Sequence, residues 1–153
     1  MRYRVGDVYK CIGTNNRKNN IWIPRFKYID RVPWIIDIAG FTRFNEDEIL
    51  DVLNKSKIKY KEFVALKDFN KENKPFLHLF LEGVNGSTNI EKIIYETFNR
   101  FDEDFCDLEK ILGFNPLKVT ILNDNRLSQY IKSNKHFMHV DSMNKFLLEL
   151  LKK

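Results

Sequence analysis

The chain has 153 residues, and its 26 Lys and Arg exceed its 21 Asp and Glu to give a formal net charge of +5. Because these charges are interleaved rather than gathered in a block, they favour a solvated lysine-rich surface over a nucleic-acid footprint. No apolar run reaches the roughly 18 residues of a membrane span, and Cys11 and Cys106 lack metal-ligand spacing. We therefore expect a cytoplasmic protein with reduced thiols and no membrane or nucleic-acid partner.

The N-terminal part predicts two strands, at 3–12 and 21–29, joined by a polar loop rich in turn-forming residues. A strand pattern that begins almost at the first residue is unusual for a self-contained domain, so we expect a piece of a longer protein. The residues from Asp30 to Pro33 are expected to bend, since Pro33 lacks an amide hydrogen and disfavours helical geometry at Val32.

The central part changes from strand periodicity to helix periodicity after Gly40. Asn45 is expected to cap a helix that ends near Ser56. The run 76–82 is apolar on both faces and is therefore expected to lie in the middle of a sheet. His78, inside this run, is expected to be a hydrogen-bonded core histidine rather than a ligand.

The C-terminal half predicts mostly helices. Thr88 and Glu91 have the spacing of a capping box, and the helical pattern that follows continues to Gly113. That pattern fits one long helix or two helices with a break near Asp102. A further strand and two further helices are expected at 117–122, 126–131 and the C-terminus.

This order of elements groups the strands in hairpins and inserts helices between them. It predicts an α+β fold, with an N-terminal β-hairpin followed by a small mixed sheet packed against helices. Within it, His136, His139 and Asp141 have ligand-type side chains but no fourth ligand nearby, which favours a polar surface over a metal centre. We therefore expect no metal site.

Several runs resemble one enzyme superfamily. Tyr3–Val8, Phe26–Arg31 and Asp37–Gly40 resemble the boundary between the large and small domains of the adenylate-forming enzymes, which include acyl-CoA synthetases and luciferases. Gly113–Val119 and Ser133–Lys135 are similar to later parts of one branch, the auxin-responsive acyl-acid amido synthetases and their bacterial relatives. The resemblance covers essentially the whole chain.

The resemblance implies roles for three residues. Asp7 matches the carboxylate that accepts the ribose hydroxyls of ATP, and Arg31 matches the hinge arginine near the ribose and phosphates. Lys135 matches the catalytic lysine that approaches the α-phosphate and the acyl carboxylate. Lys132 and Lys145 are alternatives for this lysine.

The resemblance also implies a domain organisation, in which residues 1–32 form a linking β-hairpin and hinge and residues 33–153 form a C-terminal lid domain. ATP with Mg²⁺, a carboxylic acid and an amino acid or CoA acceptor would bind in a parent protein with a large N-terminal domain. The isolated chain is expected to be inactive and to hold no cofactor tightly. The alternative is a stand-alone α+β module that binds RNA or a protein partner through its basic surface.

Overall fold

The computed structural model describes most of the chain, namely the ranges 7–14, 23–31, 35–84, 89–134, 139–141 and 145–153. The chain divides into two compact units, Met1–Trp34 and Ile35–Lys153. None of the helices in the described ranges is long and apolar enough to cross a membrane.

The described ranges contain eight strands and five helices. The strands are β1 (Asp7–Gly13), β2 (Arg25–Arg31), β3 (Ile36–Ile38), β4 (Thr42–Phe44), β5 (Glu62–Phe69), β6 (Pro75–Glu82), β7 (Leu117–Leu122) and β8 (Val140–Asp141). The helices are α1 (Glu46–Ser56), α2 (Ile90–Phe101), α3 (Glu103–Leu112), α4 (Arg126–Ser133) and α5 (Lys145–Lys152).

The first unit contains an antiparallel ribbon of β1 and β2, as the sequence predicts. β2 continues through Arg31, so Asp30 and Arg31 are extended, and the prediction that they begin a bend is wrong. The remainder of that predicted bend, at 32–33, lies outside the described residues. Tyr9 and Phe26 on the ribbon are 53% and 58% exposed.

The second unit is built on a mixed four-stranded sheet with the order β7-β6-β5-β8. β5 and β6 are antiparallel neighbours, while β7 and β8 run parallel to the strands they join. The predicted position of β6 inside the sheet is thus confirmed. The sheet with its helices also confirms the α+β class.

Two hydrophobic clusters cover the two faces of this sheet. On one face the β3–β4 hairpin and α1, α2 and α3 pack together, and the Phe44 ring contacts those of Phe98 and Phe105 at centroid distances of 5.1 and 5.7 Å. On the other face α4 and α5 pack against β5 and β6. The sheet is therefore buried on both sides, which agrees with the continuous apolar pattern of β6.

Two of the predicted helix boundaries are confirmed by their caps. The Asn45 side chain accepts a hydrogen bond from the Glu48 backbone amide at 3.0 Å, and the Glu48 carboxylate accepts one from the Asn45 backbone amide at 2.8 Å. The long helical pattern forms two helices that meet at Asp102, whose carboxylate accepts a hydrogen bond from the Phe105 backbone at 2.8 Å. The break near Asp102 is therefore an N-cap.

The predicted capping box at Thr88 and Glu91 lies only partly within the described residues. The cap residue of α2 is Asn89, which has a φ of 81° and no side-chain cap hydrogen bond. Thr88 itself lies outside the described residues. The Glu91 carboxylate instead accepts a hydrogen bond from the Val119 backbone at 2.8 Å. Because β7 is an edge strand, Glu91 satisfies a backbone donor that would otherwise lack a ladder partner.

Candidate functional site

The ribbon of the first unit brings two of the sequence-predicted site residues together. Asp7 and Arg31 are 24 positions apart in the chain, yet they are direct partners in the β1–β2 register. Directly opposite residues of an antiparallel pair have Cα atoms about 4.5–5.5 Å apart. The two positions that the resemblance assigns to one nucleotide therefore lie next to each other.

The predicted catalytic lysine, Lys135, lies outside the described residues, so its role stays a prediction. Its neighbour Asn134 ends α4, where the Asn134 side chain donates a hydrogen bond to the Tyr130 carbonyl at 2.8 Å. Of the two alternatives, Lys132 is exposed in the last turn of α4, and Lys145 is the first residue of α5. Both belong to the second unit, whereas Asp7 and Arg31 belong to the first.

His139, one of the three ligand-type residues considered for a metal, contacts two carboxylates. Its Nδ1 lies 3.0 Å from Oε1 of Glu46, and its Nε2 lies 3.8 Å from Oε2 of Glu62. The imidazole also stacks on the Phe63 ring with centroids 4.9 Å apart. The described residues contain no group of three or more His, Cys, Asp or Glu side chains that could hold a metal ion. The companion residue His136 lies outside them.

A buried carboxylate fixes the start of α4. Glu82, at the end of β6, is 1% exposed. Its Oε2 accepts hydrogen bonds from the backbone amides of Leu127 and Ser128 at 2.9 and 3.1 Å, and its Oε1 accepts one from the Ser128 hydroxyl. Lys61 Nζ lies 3.7 Å from the same Oε1. These contacts satisfy amide donors at the helix N-terminus, where the helix dipole favours a negative charge.

A second polar cluster crosses the sheet beneath α5. His78 is 1% exposed, and its Nδ1 lies 2.9 Å from Oδ2 of Asp68 while its Nε2 lies 2.8 Å from Oγ1 of Thr120. Lys152, near the end of α5, donates to both Asp68 oxygens at 2.8 and 2.7 Å. We call these four residues the Asp68 cluster. The prediction that His78 is a hydrogen-bonded core histidine is confirmed.

The Asp68 cluster has the connectivity of a hydroxyl–imidazole–carboxylate triad, but its electrostatics make His78 a weak base. An ionised carboxylate only accepts hydrogen bonds, so Nδ1 carries the proton and Nε2 accepts from the Thr120 hydroxyl. Burial lowers the pKa of His78 to about 4, and the field of Lys118 and Lys152 acts in the same direction. A general base works best with a pKa near the working pH, so His78 is poorly suited to that role. The hydrogen bond from Lys152 to Asp68 instead joins α5 to the sheet.

The same cluster predicts a loss of stability in acid. Burial alone would raise the pKa of Asp68, but hydrogen bonds from Lys152, His78 and the Phe69 backbone outweigh burial and lower it. For His78 the folded pKa lies below the ordinary 6.5, so the folded chain binds fewer protons and loses stability as the pH falls from 6.5 towards 4. For Asp68 the stabilisation is present above its ordinary pKa of 3.8 and is lost below it.

We therefore expect the free energy of unfolding to fall by roughly 1–3 kcal/mol between pH 6.5 and 4.5, with His78 as a main contributor. The measurement is urea unfolding at several pH values, with His78→Gln as the comparison because glutamine keeps hydrogen-bonding groups and does not titrate. The fall should be smaller in His78→Gln than in the wild type. Equal falls would show that His78 does not cause the acid sensitivity.

Residue patterns pointed to His78 but not to its partners. Asp68 follows Val64 and Leu66 at alternate positions of β5, and both of these side chains are buried. A charged residue at a position that faces the core was therefore the sequence pattern that indicated a buried partner. Thr120 and Lys152 carried no such signal, since they meet His78 and Asp68 only after β7 and α5 pack on the sheet.

The same fold occurs in a solved structure described as "GH3.15 acyl acid amido synthetase". The superposition has a TM-score of 0.55 and 18% sequence identity, and it covers 99% of this chain and 30% of that one. This chain thus spans less than a third of the length of that protein. At this identity the likeness shows a shared fold. No protein-family model matches the chain, and no curated protein matches it.

Proposed function

We propose that this chain is the C-terminal lid domain, with its linking hairpin, of an ATP-dependent ligase that forms an acyl-adenylate and transfers the acyl group to an amine or a thiol. The observation that carries the proposal is the pairing of Asp7 with Arg31 in a chain that shares its fold with an acyl acid amido synthetase. The resemblance had assigned both residues to one nucleotide, and the register makes them neighbours.

Formation of the acyl-adenylate requires two kinds of contact between the first unit and the nucleotide. Asp7 would accept hydrogen bonds from the ribose hydroxyls, a role for a short ionised acceptor. Arg31 would pair with an anionic oxygen near the ribose and phosphates, where a planar guanidinium can make two parallel hydrogen bonds. Together they would hold the nucleotide while the acid reacts.

In that step a carboxylate oxygen of the acid attacks the α-phosphorus of ATP, the acyl–phosphate bond forms, and pyrophosphate leaves. The ammonium group of Lys135 would stabilise negative charge on the α-phosphate and the carboxylate as this bond forms. In the second step the amine or thiol attacks the acyl carbonyl, AMP leaves, and the nucleophile loses its proton. ATP brings Mg²⁺ in the parent protein, and we assign no residue of this chain to the ion.

The proposal also includes a hinge between the two steps. The boundary between the two compact units, at Trp34 and Ile35, supports a hinge close to the end of β2. Pro33 next to this boundary fixes one backbone dihedral, so the movement would depend on the residues on either side of it. A missing large domain would supply the acyl pocket, and the lid by itself would be inactive.

The test is pyrophosphate exchange into ATP by the longer parent protein, with a broad panel of carboxylic acids. Exchange that depends on the acid is expected, and the 153-residue chain alone should give none. Failure of the parent across the panel would overturn the enzymatic proposal. A salt-dependent shift of single-stranded RNA by the isolated chain, without exchange by the parent, would favour the binding-module alternative.

A further inference from the structure

Strand β7 forms an outer edge of the four-stranded sheet, and side chains occupy two of its backbone donors. The Val119 amide donates to Oε2 of Glu91, in the first turn of α2, at 2.8 Å. The Leu117 amide donates to Oδ1 of Asn115 at 2.9 Å. Neither acceptor belongs to a strand, so the two bonds stand where a further strand would make its ladder hydrogen bonds.

The pairing of β6 with β7 shows that these two amides point away from the sheet. The strands are parallel, and β7 pairs with β6 along its whole length, with Leu77 opposite Leu117. The Leu77 amide donates to the Pro116 carbonyl at 2.8 Å, so the backbone groups at 116 and at every second residue after it face β6. The amides of Leu117 and Val119 therefore face outward, where an edge strand offers them to another chain.

The side chains of β7 also favour pairing with another strand. Val119, Thr120 and Ile121 are consecutive β-branched residues, the type that fits a pleated strand best. Ile121 is 40% exposed, and Lys118 is the single charged residue of the strand. Segments of about six residues with high β-propensity, low charge and no proline pair readily when their edge is open. Protection of this edge therefore depends largely on residues outside the strand.

A second copy of this chain offers β7 a complementary partner. In an antiparallel pair centred on Val119, this residue would face Val119 of the second copy, Leu117 would face Ile121, and Lys118 would face Thr120. No like charges would lie opposite each other, and the apolar side chains would meet apolar side chains. The central ladder bonds of this pair need the Val119 amide, which Glu91 already holds.

From this geometry we infer that Glu91 closes the β7 edge to a second copy of this chain. Its exposed carboxylate occupies the central donor of the two-fold register and lies beside the strand, where an incoming strand would pair. Asn115 supports the same role by holding the Leu117 amide. The inference does not depend on the proposed ligase function, since none of these residues is assigned to the nucleotide or the acid.

The experiment measures the self-association of the 153-residue chain by sedimentation equilibrium. Glu91→Ala removes the acceptor and is expected to lower the monomer–dimer dissociation constant by about 10- to 100-fold, because one freed donor in each copy can then pair across the interface. Glu91→Gln keeps an acceptor oxygen and should stay close to the wild type. Glu96→Ala is the control, because this exposed carboxylate of the same helix pairs with Lys92 and Arg100 and should not change association.

A double variant tests whether β7 is the interface. Ile121→Lys adds a charge to an exposed position of the edge, a device by which natural sheets block pairing. Glu91→Ala/Ile121→Lys is therefore expected to return to the wild-type level of association. Association of the double variant as strong as that of Glu91→Ala would place the contact elsewhere and overturn the inference. Equal association in Glu91→Gln and Glu91→Ala would also overturn it, since the acceptor oxygen would then play no part.

Amide hydrogen exchange follows the same edge at single residues. In Glu91→Ala the protection of the Val119 amide should fall by about tenfold in dilute solution and recover as the protein concentration rises. The Leu77 amide, bonded to Pro116 on the inner side of β7, should be unchanged throughout. Loss of Val119 protection without association would overturn the inference, because Glu91 would then satisfy a donor without excluding a second strand. An equal loss at Leu77 would show that the sheet is weakened in general and would contradict a role at the edge.

Discussion

Replacing Lys135 with Ala is expected to lower the rate of adenylate formation by the parent protein by about 10²- to 10³-fold, the usual cost of removing one donor that stabilises transition-state charge. Transfer of the acyl group from a supplied acyl-adenylate should change far less, because the proposal places Lys135 at the α-phosphate during adenylation and the hinge movement follows that step. The measurement is single-turnover adenylate formation beside single-turnover transfer, so that the two half-reactions are separated.

The controls for this prediction are other lysines of the same unit. Lys153→Ala removes an exposed lysine at the C-terminus and should leave both half-reactions unchanged. Lys132→Ala and Lys145→Ala test the two alternatives on α4 and α5. Equal loss of adenylation and transfer in Lys135→Ala would remove Lys135 from the proposed role, and a selective loss of adenylation in Lys132→Ala or Lys145→Ala would assign the role to that residue.

Replacing Glu82 with Ala is expected to cost the second unit about 3–5 kcal/mol of unfolding free energy. The carboxylate is 1% exposed and accepts hydrogen bonds from the Leu127 amide, the Ser128 amide and the Ser128 hydroxyl. Its loss leaves these buried donors without their acceptor, and each unsatisfied donor costs about 1–3 kcal/mol. Urea unfolding followed by far-UV circular dichroism gives the free energy.

Two variants make this measurement specific. Glu82→Gln keeps an oxygen that can accept from both amides and should cost less than Glu82→Ala. Glu72→Ala removes a carboxylate that pairs with Lys74 at 3.0 Å in an exposed position, where an ion pair contributes about 0–1 kcal/mol. A loss in Glu82→Ala no larger than that in Glu72→Ala would show that Glu82 does not fix the start of α4.

The elements with long patterns were predictable from the sequence, and those with short patterns were not. α1 was predicted with its Asn45 cap, and the break at Asp102 was among the predicted alternatives, because caps and helical periodicity are local properties of the chain. β4 and β8 were not predicted. Their three and two residues are too few to show alternation, and each forms only because a partner strand lies beside it.

The candidate site likewise contains residues that were predicted from the sequence and contacts that were not. The sequence supplied Asp7, Arg31 and Lys135 through a resemblance, and the β1–β2 register then made Asp7 and Arg31 neighbours. The roles of all three stay predictions. The contacts of His139 with Glu46 and Glu62 were not predictable, because these carboxylates are 93 and 77 positions away from it in the chain.

The sequence by itself determined the α+β class, the interior position of β6, the buried role of His78 and the capped start of α1, since apolar periodicity and capping are encoded within a few residues. The tertiary structure alone decided which carboxylates meet which donors: Glu82 with the start of α4, Asp68 with His78 and Lys152, and Glu91 with the edge of β7. The physical reason is that a buried polar group takes whichever partner the packing brings within hydrogen-bond distance, and packing joins residues that are far apart in the chain.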